Sequence, residues 1–263
     1  MAQIRLDKLL ANRTPHSRSD VKSILKNGAV QVDGMTECDG SSKIDPDVQE
    51  VTLYGKKLVG QSHVCFLVNK PQGCICATED RMHKTVLDLL PAELRVKGLF
   101  PAGRLDADST GLVLLTDDGD LAHRMLAPKS HVPKYYLVRL KKPCRAGDIK
   151  RLADGLQLGD GTQCMPAEAR PLEGRENDVL ICLHEGKYHQ VKRMFAALSN
   201  HVESLHRVAI GGMILPEKLT FGAHVEVLHK DVENMLKAGN FDAIYERIMT
   251  NFSSYSINEG REV

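Results

Sequence analysis

The sequence predicts a two-domain α+β protein. At about 150 residues per domain, a chain of 263 residues is long enough for two domains. Strand and helix patterns interleave irregularly along it, which favours a mixed α+β arrangement over a regular βαβ repeat. A hydrophobic content of 42% and a charged content of 26% are typical of globular proteins and exclude the disordered and fibrous classes.

The first 60 residues predict two helices and a small sheet. Apolar side chains recur there at helical spacing in two segments, and short alternating segments follow them. The predicted elements are a helix over residues 4–12, a helix that begins at Ser17 or Ser19 and ends at Asn27-Gly28, a strand over residues 29–32 with a tight turn at Asp33-Gly34, and a strand over residues 48–53.

The remainder predicts a larger domain behind a polar linker from Lys56 to His63. Strands and helices alternate in it without a fixed period. Strand patterns occur at Cys65–Val68, Gly111–Leu115, Tyr135–Leu140 and Val179–Leu183, and helical patterns at Leu121–Leu126, Ile149–Leu156 and Gln190–Leu198. A short helix at Asn240–Asn251 and a polar end complete the chain.

Several classes of protein are unlike this sequence. Its apolar stretches are only four or five residues long, whereas a membrane-spanning helix needs about 20. The N-terminus lacks the apolar core of an export signal. The seven cysteines are odd in number and contain no C-x-x-C pair, which argues against a disulfide framework and a zinc site. We therefore expect a cytoplasmic protein without a membrane partner.

The net charge of +1 argues at first against a nucleic-acid-binding protein, but the charge is unevenly distributed. Residues 1–30 contain six basic and two acidic residues, and residues 128–151 contain eight basic residues and one acidic residue. Residues 31–60 and 231–263 each contain three basic and six acidic residues. Two separate basic stretches are typical of a protein that binds a phosphate backbone, although a solvated charged face is the common alternative.

Residues 103–116, with the sequence GRLDADSTGLVLLT, place a short acidic loop before an apolar strand. A loop held by a rigid element is a usual position for catalytic groups. Asp106 and Asp108 are separated by one residue, so they point the same way if the loop is extended. The pair is compatible with acid–base catalysis, with a magnesium site, or with a turn in which Asp and Ser bond their own backbone.

An aromatic and basic strand is predicted at residues 133–140, PKYYLVRL. Alternation places Tyr136, Val138 and Leu140 on one face, and Tyr135, Leu137 and Arg139 on the other. Because this strand lies in a basic stretch, Tyr136 is a candidate stacking surface for an unstacked base. An ordinary core tyrosine is the alternative.

A third segment, residues 185–195 with the sequence EGKYHQVKRMF, begins a helix. Lys192 and Arg193 are adjacent, so one can reach a carboxylate while the other faces phosphate. The four histidines in residues 184–206 match no zinc spacing. The sequence also lacks the motifs of dinucleotide, ATP, serine-hydrolase and zinc-protease sites. We therefore expect no cofactor and no metal.

These motifs resemble those of RNA pseudouridine synthases. Residues 103–106, GRLD, with residues 109–112, STGL, resemble the catalytic motif of that family. The string through residue 119 resembles the RsuA-type branch, which modifies small-subunit ribosomal RNA. The same order and spacing occur in NKPQG at residues 69–73, KYY at 134–136, GKYHQVKRMF at 186–195, LHR at 205–207 and IGG at 210–212.

The first 60 residues resemble an S4 RNA-binding domain, in Ser17-Arg18 and in GAVQVDG at residues 28–34. The resemblance implies three parts: an S4-like domain over residues 1–60, a pseudouridine synthase catalytic domain with a largely antiparallel sheet over residues 61–232, and an acidic extension of unassigned role over residues 233–263. Basic side chains implied to contact RNA are Arg5, Lys8, Arg18, Lys22 and Lys134.

The resemblance also implies roles in the reaction. Asp106 is expected to be the nucleophile that cleaves the uridine glycosidic bond, and Tyr136 to stack on the uracil and assist proton abstraction. The basic partner of Asp106 falls at Lys192, with its neighbour Arg193 an alternative and a substrate contact. Arg104 is expected to help hold the target out of its helix. Asp108 has no catalytic counterpart in the family, so the two-carboxylate hypothesis is dropped.

We therefore expect a monomeric enzyme that converts one uridine of 16S rRNA to pseudouridine, with 16S rRNA or a small-subunit assembly intermediate as partner. One alternative is a non-catalytic ribosome-assembly factor that binds RNA through the same basic stretches. The other is a pseudouridine synthase acting on 23S rRNA or tRNA.

Overall fold

The computed structural model describes residues 3–14, 16–46, 48–58, 63–127, 130–236 and 238–255. None of the helices in these residues is long and apolar enough to cross a membrane. The helices are α1 (Leu6–Arg13), α2 (Arg18–Lys26), α3 (Gly119–Leu126), α4 (Ala146–Ala153), α5 (Gln190–Ala197), α6 (His229–Leu236) and α7 (Phe241–Thr250).

The strands divide between a small N-terminal unit and a large sheet. They are β1 (Ile4–Arg5), β2 (Val30–Val32), β3 (Met35–Thr36), β4 (Lys43–Ile44), β5 (Val51–Leu53), β6 (Lys56–Leu58), β7 (Cys65–Lys70), β8 (Phe100–Ala102), β9 (Thr110–Thr116), β10 (Lys134–Leu140), β11 (Glu168–Leu172), β12 (Arg175–Leu183), β13 (Val202–Ile210), β14 (Met213–Ile214) and β15 (His224–Glu226).

The two predicted N-terminal helices are confirmed, except that the first begins at Leu6 and not at residue 4, because Ile4–Arg5 form β1 and pair with β4. The apolar face of each helix is buried in a cluster formed within the first 58 residues. Ser17 is the residue that caps α2: its hydroxyl accepts from the Asp20 amide at 3.2 Å, and the Asp20 carboxylate accepts from the Ser17 amide at 2.9 Å. This reciprocal pair is a capping box. Asn27 ends the helix, and Gly28 follows with a φ of 67°.

The N-terminal sheet has the order β3-β2-β5-β6 and is antiparallel. Its first hairpin turns at Asp33-Gly34, as predicted. Its last hairpin turns at Tyr54-Gly55, whose φ values of 50° and 73° suit a two-residue turn. The predicted linker from Lys56 to His63 is therefore wrong for residues 56–58, which form β6. Residues 59–62 lie outside the described residues.

The large sheet contains nine strands in the order β11-β12-β10-β13-β9-β7-β15, with β14 on β13 and β8 on β9. Among the described strands, β9 and β13 form the one parallel pair, and all other pairs are antiparallel. The mixed fold class with a largely antiparallel sheet is thus confirmed.

Each face of this sheet carries its own hydrophobic cluster. Tyr136, Val138 and Leu140 lie in the cluster that α4 and α5 cover. Tyr135 and Leu137 lie in the opposite cluster, covered by α3, α6 and α7. The alternation predicted for this strand is therefore confirmed, because successive side chains of a strand point to opposite faces.

Among the elements that differ from the sequence-based expectation are α4 and β13, each for a local reason. Helix α4 ends at Ala153, three residues before the predicted end, because Gly155 adopts a φ of 83° that does not continue a helix. Strand β13 was not predicted, although it lies in the middle of the sheet. Its buried polar residues His206 and Arg207 interrupt the apolar pattern by which strands are identified.

The predicted C-terminal helix is confirmed as α7, with the Asn240 side chain accepting from the Ala243 amide at 3.0 Å. The domain boundary drawn at residue 232 falls inside α6. Both α6 and α7 bury side chains in the same cluster as the sheet, so they form part of one layer of the larger unit. The polar end of the predicted extension, residues 256–263, lies outside the described residues.

Gly111 marks the closest approach in the large sheet. It pairs with Arg207 across the parallel strands and has a φ of 105°. A Cβ atom at this position would lie 2.3 Å from the carbonyl oxygen of Arg207 and 2.6 Å from its amide nitrogen. Only a residue without a side chain fits, because backbone atoms on the neighbouring strand cannot move aside.

We predict that Gly111→Ala destabilises the protein by about 2–4 kcal/mol, since it adds backbone strain and an overpacked contact. Urea denaturation measures this free energy of unfolding. Gly119→Ala is the matched control, because its Cβ meets no atom within 4 Å and alanine favours the helix in which it lies. Equal stability of the two variants would contradict the constraint.

Candidate active site

The acidic loop predicted from the sequence connects β8 to β9 and spans residues 103–109. Gly103 opens it with a φ of 91°. Within the loop the amide of Ser109 donates to the carbonyl of Asp106 at 3.1 Å, and the amide of Gly73 donates to the carbonyl of Ala107 at 2.7 Å. The loop thus has a fixed backbone conformation that presents Asp106 from a turn.

A buried lysine binds the backbone of this loop through hydrogen bonds. Lys70, at the end of β7, is fully buried. Its Nζ donates to the carbonyl of Ser109 at 2.6 Å, of Ala107 at 3.3 Å and of Pro71 at 3.1 Å. Burial lowers the pKa of Lys70 below its usual value. The three carbonyl oxygens compensate the buried ammonium, so the loop and the lysine stabilise each other.

A buried arginine holds the same loop from the adjacent strand. Arg207, on β13, donates through Nε to the carbonyl of Leu112 at 2.7 Å and through Nη1 to the carbonyl of Arg104 at 3.4 Å. Arg104 and Leu112 flank the acidic turn on its two sides. The side chain of Arg104 itself is exposed, which leaves it free to face solvent or a ligand.

The first turn of α5 brings a cation to the loop. Nζ of Lys192 lies 3.3 Å from Oδ2 of Asp106 and 2.6 Å from Oδ1 of Asp108. One ionic cluster is therefore formed by Asp106, Asp108 and Lys192, and the lysine is more than 80 positions away from the two aspartates in the sequence. The expected contact between Asp106 and a basic residue of the third motif is present, and Lys192 is the residue that makes it.

Asp108 takes part in this cluster although the resemblance gave it no catalytic role. Partial burial opposes its ionisation, but the hydrogen bond and positive charge of Lys192 prevail and lower the pKa of Asp108. Lys192 thus lies between two carboxylates. The one-residue spacing of Asp106 and Asp108 was the sequence signal for this arrangement, and it was discarded because the family offered no counterpart.

A histidine that sequence reasoning missed also contacts the expected nucleophile. Nε2 of His189 lies 3.3 Å from Oδ1 of Asp106, on the opposite carboxylate oxygen from Lys192. His189 precedes α5 and has a left-handed backbone, with a φ of 47°. His189 lies within the GKYHQVKRMF motif that carries the family resemblance, but no local spacing connects residue 189 with residue 106, so the sequence indicated no contact between them.

Arg193, the alternative partner of Asp106, lies elsewhere. Its guanidinium forms an ion pair with Asp160 and donates to the carbonyl of Tyr188 at 3.1 Å. Because adjacent helical residues point in different directions, Lys192 and Arg193 serve separate partners. Arg193 fixes the segment before α5.

Tyr136 lies on the strand face that adjoins the acidic loop. It belongs to the cluster that also contains Leu105 and Val191, the neighbours in sequence of Asp106 and Lys192. Tyr136 is opposite Arg207 on β13, and Arg207 is opposite Gly111 on β9. Tyr136 and the end of the acidic loop are therefore two strands apart, or about 10 Å. Its ring is largely buried.

Lys134 contradicts its predicted role as an RNA contact. It is only 8% exposed, and its Nζ donates to the carbonyl of Val132 at 2.9 Å. Burial, with the charge of Arg207 adding to it, lowers the pKa of Lys134 to about 8. An ammonium directed into the protein cannot reach a phosphate on the surface, so the prediction for this residue is wrong.

The four basic residues predicted for the N-terminal unit lie around one cleft of about 360 Å³ between α1 and α2. Arg5, Lys8, Arg18 and Lys22 line this N-terminal cleft together with Asp7. The Asp7 carboxylate accepts two hydrogen bonds from Arg5, at 3.0 Å and 2.6 Å. The cleft therefore has a net positive charge.

The described residues contain no group of three or more His, Cys, Asp or Glu side chains that could hold a metal ion. Two of the histidines considered in the sequence have other partners. His184 Nδ1 lies 2.8 Å from the carbonyl of His131, and His206 Nδ1 lies 2.8 Å from the hydroxyl of Thr110.

Similarity to known proteins identifies the family of this chain. A family model described as RNA pseudouridylate synthase matches residues 64–197. The chain is 44% identical over 235 residues to the uncharacterized RNA pseudouridine synthase YtzG of Bacillus subtilis (strain 168), covering 87% of this chain and 97% of that protein.

Two further relatives carry the name ribosomal small subunit pseudouridine synthase A. The protein of Vibrio vulnificus (strain CMCP6) is 39% identical, and that of Escherichia coli (strain K12) is 38% identical; each match covers 89% of this chain and 100% of the relative. A solved structure, a crystal structure of pseudouridylate synthase, is 37% identical with a TM-score of 0.62, covering 88% of this chain and 99% of that one.

The family model spans about half of the chain, and each of the relatives named is matched over nearly its entire length. The chain therefore belongs to the RNA pseudouridylate synthase family.

Proposed function

We propose that this enzyme converts a specific uridine of 16S rRNA to pseudouridine with Asp106 as nucleophile. The contact of Asp106 with Lys192 across the acidic loop is the observation that carries the mechanism. The small-subunit specificity rests on the relatives named ribosomal small subunit pseudouridine synthase A. Acting on ribosomal RNA, the enzyme works in the cytoplasm, and we propose that it does so as a monomer.

Asp106 is suited to covalent catalysis. A carboxylate can form a covalent intermediate that divides one difficult step into two. In this reaction the bond from the ribose C1′ to N1 of uracil breaks, the base turns, and C1′ bonds to C5. The C5 proton leaves and N1 gains one, so the product is an isomer and the reaction needs no oxidant. One third of the Asp106 side chain is exposed, so a ribose can approach it.

Lys192 and His189 keep the nucleophile oriented. Each contacts a different oxygen of the Asp106 carboxylate, which fixes the plane of the group. Both contacts are 3.3 Å long, longer than a strong charge-assisted hydrogen bond. The carboxylate is therefore held in position while it stays available for attack. Asp108 takes the shorter contact with Lys192, at 2.6 Å, and shares its charge.

The target base must leave its stack before Asp106 can reach the ribose. Tyr136 is the aromatic residue on the strand face beside the loop, and we assign to it stacking on the uracil and assistance in removing the C5 proton. Arg104 is exposed while its carbonyl is fixed by Arg207, so its guanidinium can occupy the space that the flipped nucleotide leaves.

We assign residues 1–60 to an S4-like RNA-binding domain. Four cations around one cleft support this role, because phosphate contacts supply most of the affinity for RNA. A protein that only bound RNA would need the N-terminal cleft but no carboxylate held between a lysine and a histidine. The assembly-factor alternative is therefore less well supported. Synthases of 23S rRNA or tRNA differ from our proposal only in substrate.

We predict that cells lacking this protein lose one pseudouridine from 16S rRNA. The Asp106→Asn variant should fail to restore that pseudouridine. Its affinity for a 16S rRNA transcript should stay within a few-fold of wild type, because phosphate contacts dominate binding. Carbodiimide mapping measures the modification. Asp154→Asn, which changes an exposed carboxylate at the end of α4 away from the site, is the control and should restore it. If every 16S pseudouridine remains without the protein, the proposed substrate is wrong; if Asp106→Asn restores modification, the nucleophile is wrong.

Removing the cation shared by the carboxylates should change their ionisation. We predict that Lys192→Met raises the pKa of Asp108, because the group that lowers it is lost while its partial burial remains. Carboxyl NMR titration measures this. Asp80 is an internal reference, since backbone amides of Met82 and His83 set its pKa. In the wild type, ionised Asp108 adds to the free energy of unfolding at pH values above about 4, the pKa of an aspartate in the unfolded chain. This contribution disappears as the pH falls through the lower pKa of Asp108 in the folded protein. In Lys192→Met the contribution should be smaller. If the pKa of Asp108 is the same in Lys192→Met and in the wild type, Lys192 does not lower it and the proposed ionic cluster is wrong.

The N-terminal cleft makes a separate prediction. Replacing Lys8, Arg18 and Lys22 together with Gln should weaken binding of a 16S rRNA transcript and reduce the slope of log affinity against log salt by roughly 2–3, as expected when three phosphate contacts are lost. Filter binding at several salt concentrations measures both. Lys56→Gln, an exposed change on β6 of the same unit, is the control. An unchanged salt slope would eliminate the cleft as an RNA site.

A further inference from the structure

An exposed aromatic side chain lies directly beside the proposed nucleophile. Of the six tyrosines, four are buried in the hydrophobic clusters, whereas Tyr188 is 76% exposed and Tyr54 is 65% exposed. Tyr188 lies in the segment that leads into α5, next to His189. The mechanism given above does not use it.

Tyr188 and His189 form a stacked ring pair. Their centroids are 3.8 Å apart and their planes differ by 19°. The separation is close to the spacing of about 3.4 Å between successive bases of a nucleic acid strand. Because His189 contacts Asp106 through Nε2, the ring pair extends from the nucleophile outwards, with Tyr188 as its outer member.

The backbone that carries the ring pair is fixed from behind. The side chain of Gln190 accepts from the amide of Lys187 at 2.9 Å and donates to Glu185. Arg193 donates to the carbonyl of Tyr188 at 3.1 Å. These contacts maintain the left-handed backbone of His189, which is unfavourable for a residue with a side chain. Tyr188 is thus exposed yet held by its neighbours, so little conformational freedom is lost when a ligand stacks on it.

The proposed reaction creates a stacking position for such a ring. When the target uridine leaves its stack, the neighbouring base loses one partner. Aromatic side chains replace lost partners of this kind, and they do so for any base because every base has a π-face. The ribose of the target has to reach Asp106, so the neighbouring nucleotide lies within a short distance of the ring pair.

We propose that Tyr188 is the surface on which the base adjacent to the target uridine stacks, with His189 as the inner support of that ring. This inference rests on the proposed function, since it requires an RNA whose target base is flipped. Tyr188 is then a substrate-binding residue within the GKYHQVKRMF motif, a segment in which the resemblance gave roles only to Lys192 and Arg193.

The test measures tritium release from a 16S rRNA transcript that carries tritium at C5 of uridine, because the isomerisation expels that hydrogen. Tyr188→Ala should raise KM about tenfold, in line with the loss of one stacked base, and leave kcat within twofold. Tyr188→Phe keeps the ring and should behave as wild type. Tyr54→Ala, at the other exposed tyrosine, is the matched control and should leave KM unchanged.

A second substrate distinguishes stacking from a general effect on RNA binding. Once the modified uridine has been mapped, a transcript fragment is made abasic at the nucleotide on either side of it. On the fragment that lacks the stacking base, wild type and Tyr188→Ala should have the same KM, whereas on the intact fragment they should differ tenfold. Thermal unfolding of each variant verifies that the fold is retained.

Three results would overturn the inference: a wild-type KM in Tyr188→Ala, an equal loss in Tyr188→Phe, or a KM difference between wild type and Tyr188→Ala that persists on both abasic fragments. The last would indicate that Tyr188 contacts something other than a base. Failure of the proposed function is seen separately, because the wild-type enzyme would then release no tritium from the 16S transcript.

Discussion

The site depends on two buried cations that bind backbone carbonyls of the acidic loop and of the strand that follows it. Lys70 binds the carbonyls of Ala107 and Ser109, and Arg207 binds those of Arg104 and Leu112. A buried charge is costly unless hydrogen bonds compensate it, so each cation needs the loop as much as the loop needs the cation. The loop cannot relax without exposing a buried ammonium or guanidinium to an apolar core. Asp106 is therefore presented from a backbone that is fixed before any substrate binds, which is the preorganisation that catalysis requires.

Around that loop two side chains orient the carboxylate of Asp106 while one third of the Asp106 side chain stays exposed. Lys192 and His189 approach its two oxygens from α5 and from the residue before it. Asp108 makes the shorter contact with the lysine. The acidic loop and the start of α5 come from distant parts of the chain. The central strand β13 pairs with β9, which follows the loop, and with β10, which carries Tyr136. A change in the pairing of these strands would therefore move the side chains of the site.

Local sequence signals were sufficient wherever the physical cause was local. The end of α2 at Asn27-Gly28, the turn at Asp33-Gly34 and the alternation from Tyr135 to Leu140 each depend on neighbours within a few residues, and each occurs as predicted. Two of the incorrect predictions concern strands whose sequences do not show the apolar alternation of a strand. β6 was read as linker because its residues are polar, and β13 was missed because the buried Arg207 that supports the loop interrupts its apolar pattern. β6 is nevertheless held by hydrogen bonds to its hairpin partner β5. β13 is held by hydrogen bonds to β10 and β9, which are distant from it in the sequence.

The sequence by itself determined the fold class, the family motifs and the identity of the acidic loop, because these depend on residue order and on short-range periodicity. Only the tertiary structure decided which basic residue meets Asp106, since Lys192 and Arg193 are adjacent and only the packing of α5 directs one to the loop and the other to Asp160. It also decided that the Lys134 ammonium points inward, that Asp108 shares Lys192 with Asp106, and that His189 contacts Asp106 while the exposed ring of Tyr188 stacks on His189. Contacts between residues 80 or more positions apart leave no trace in local spacing, because they are set by how strands pair and helices dock.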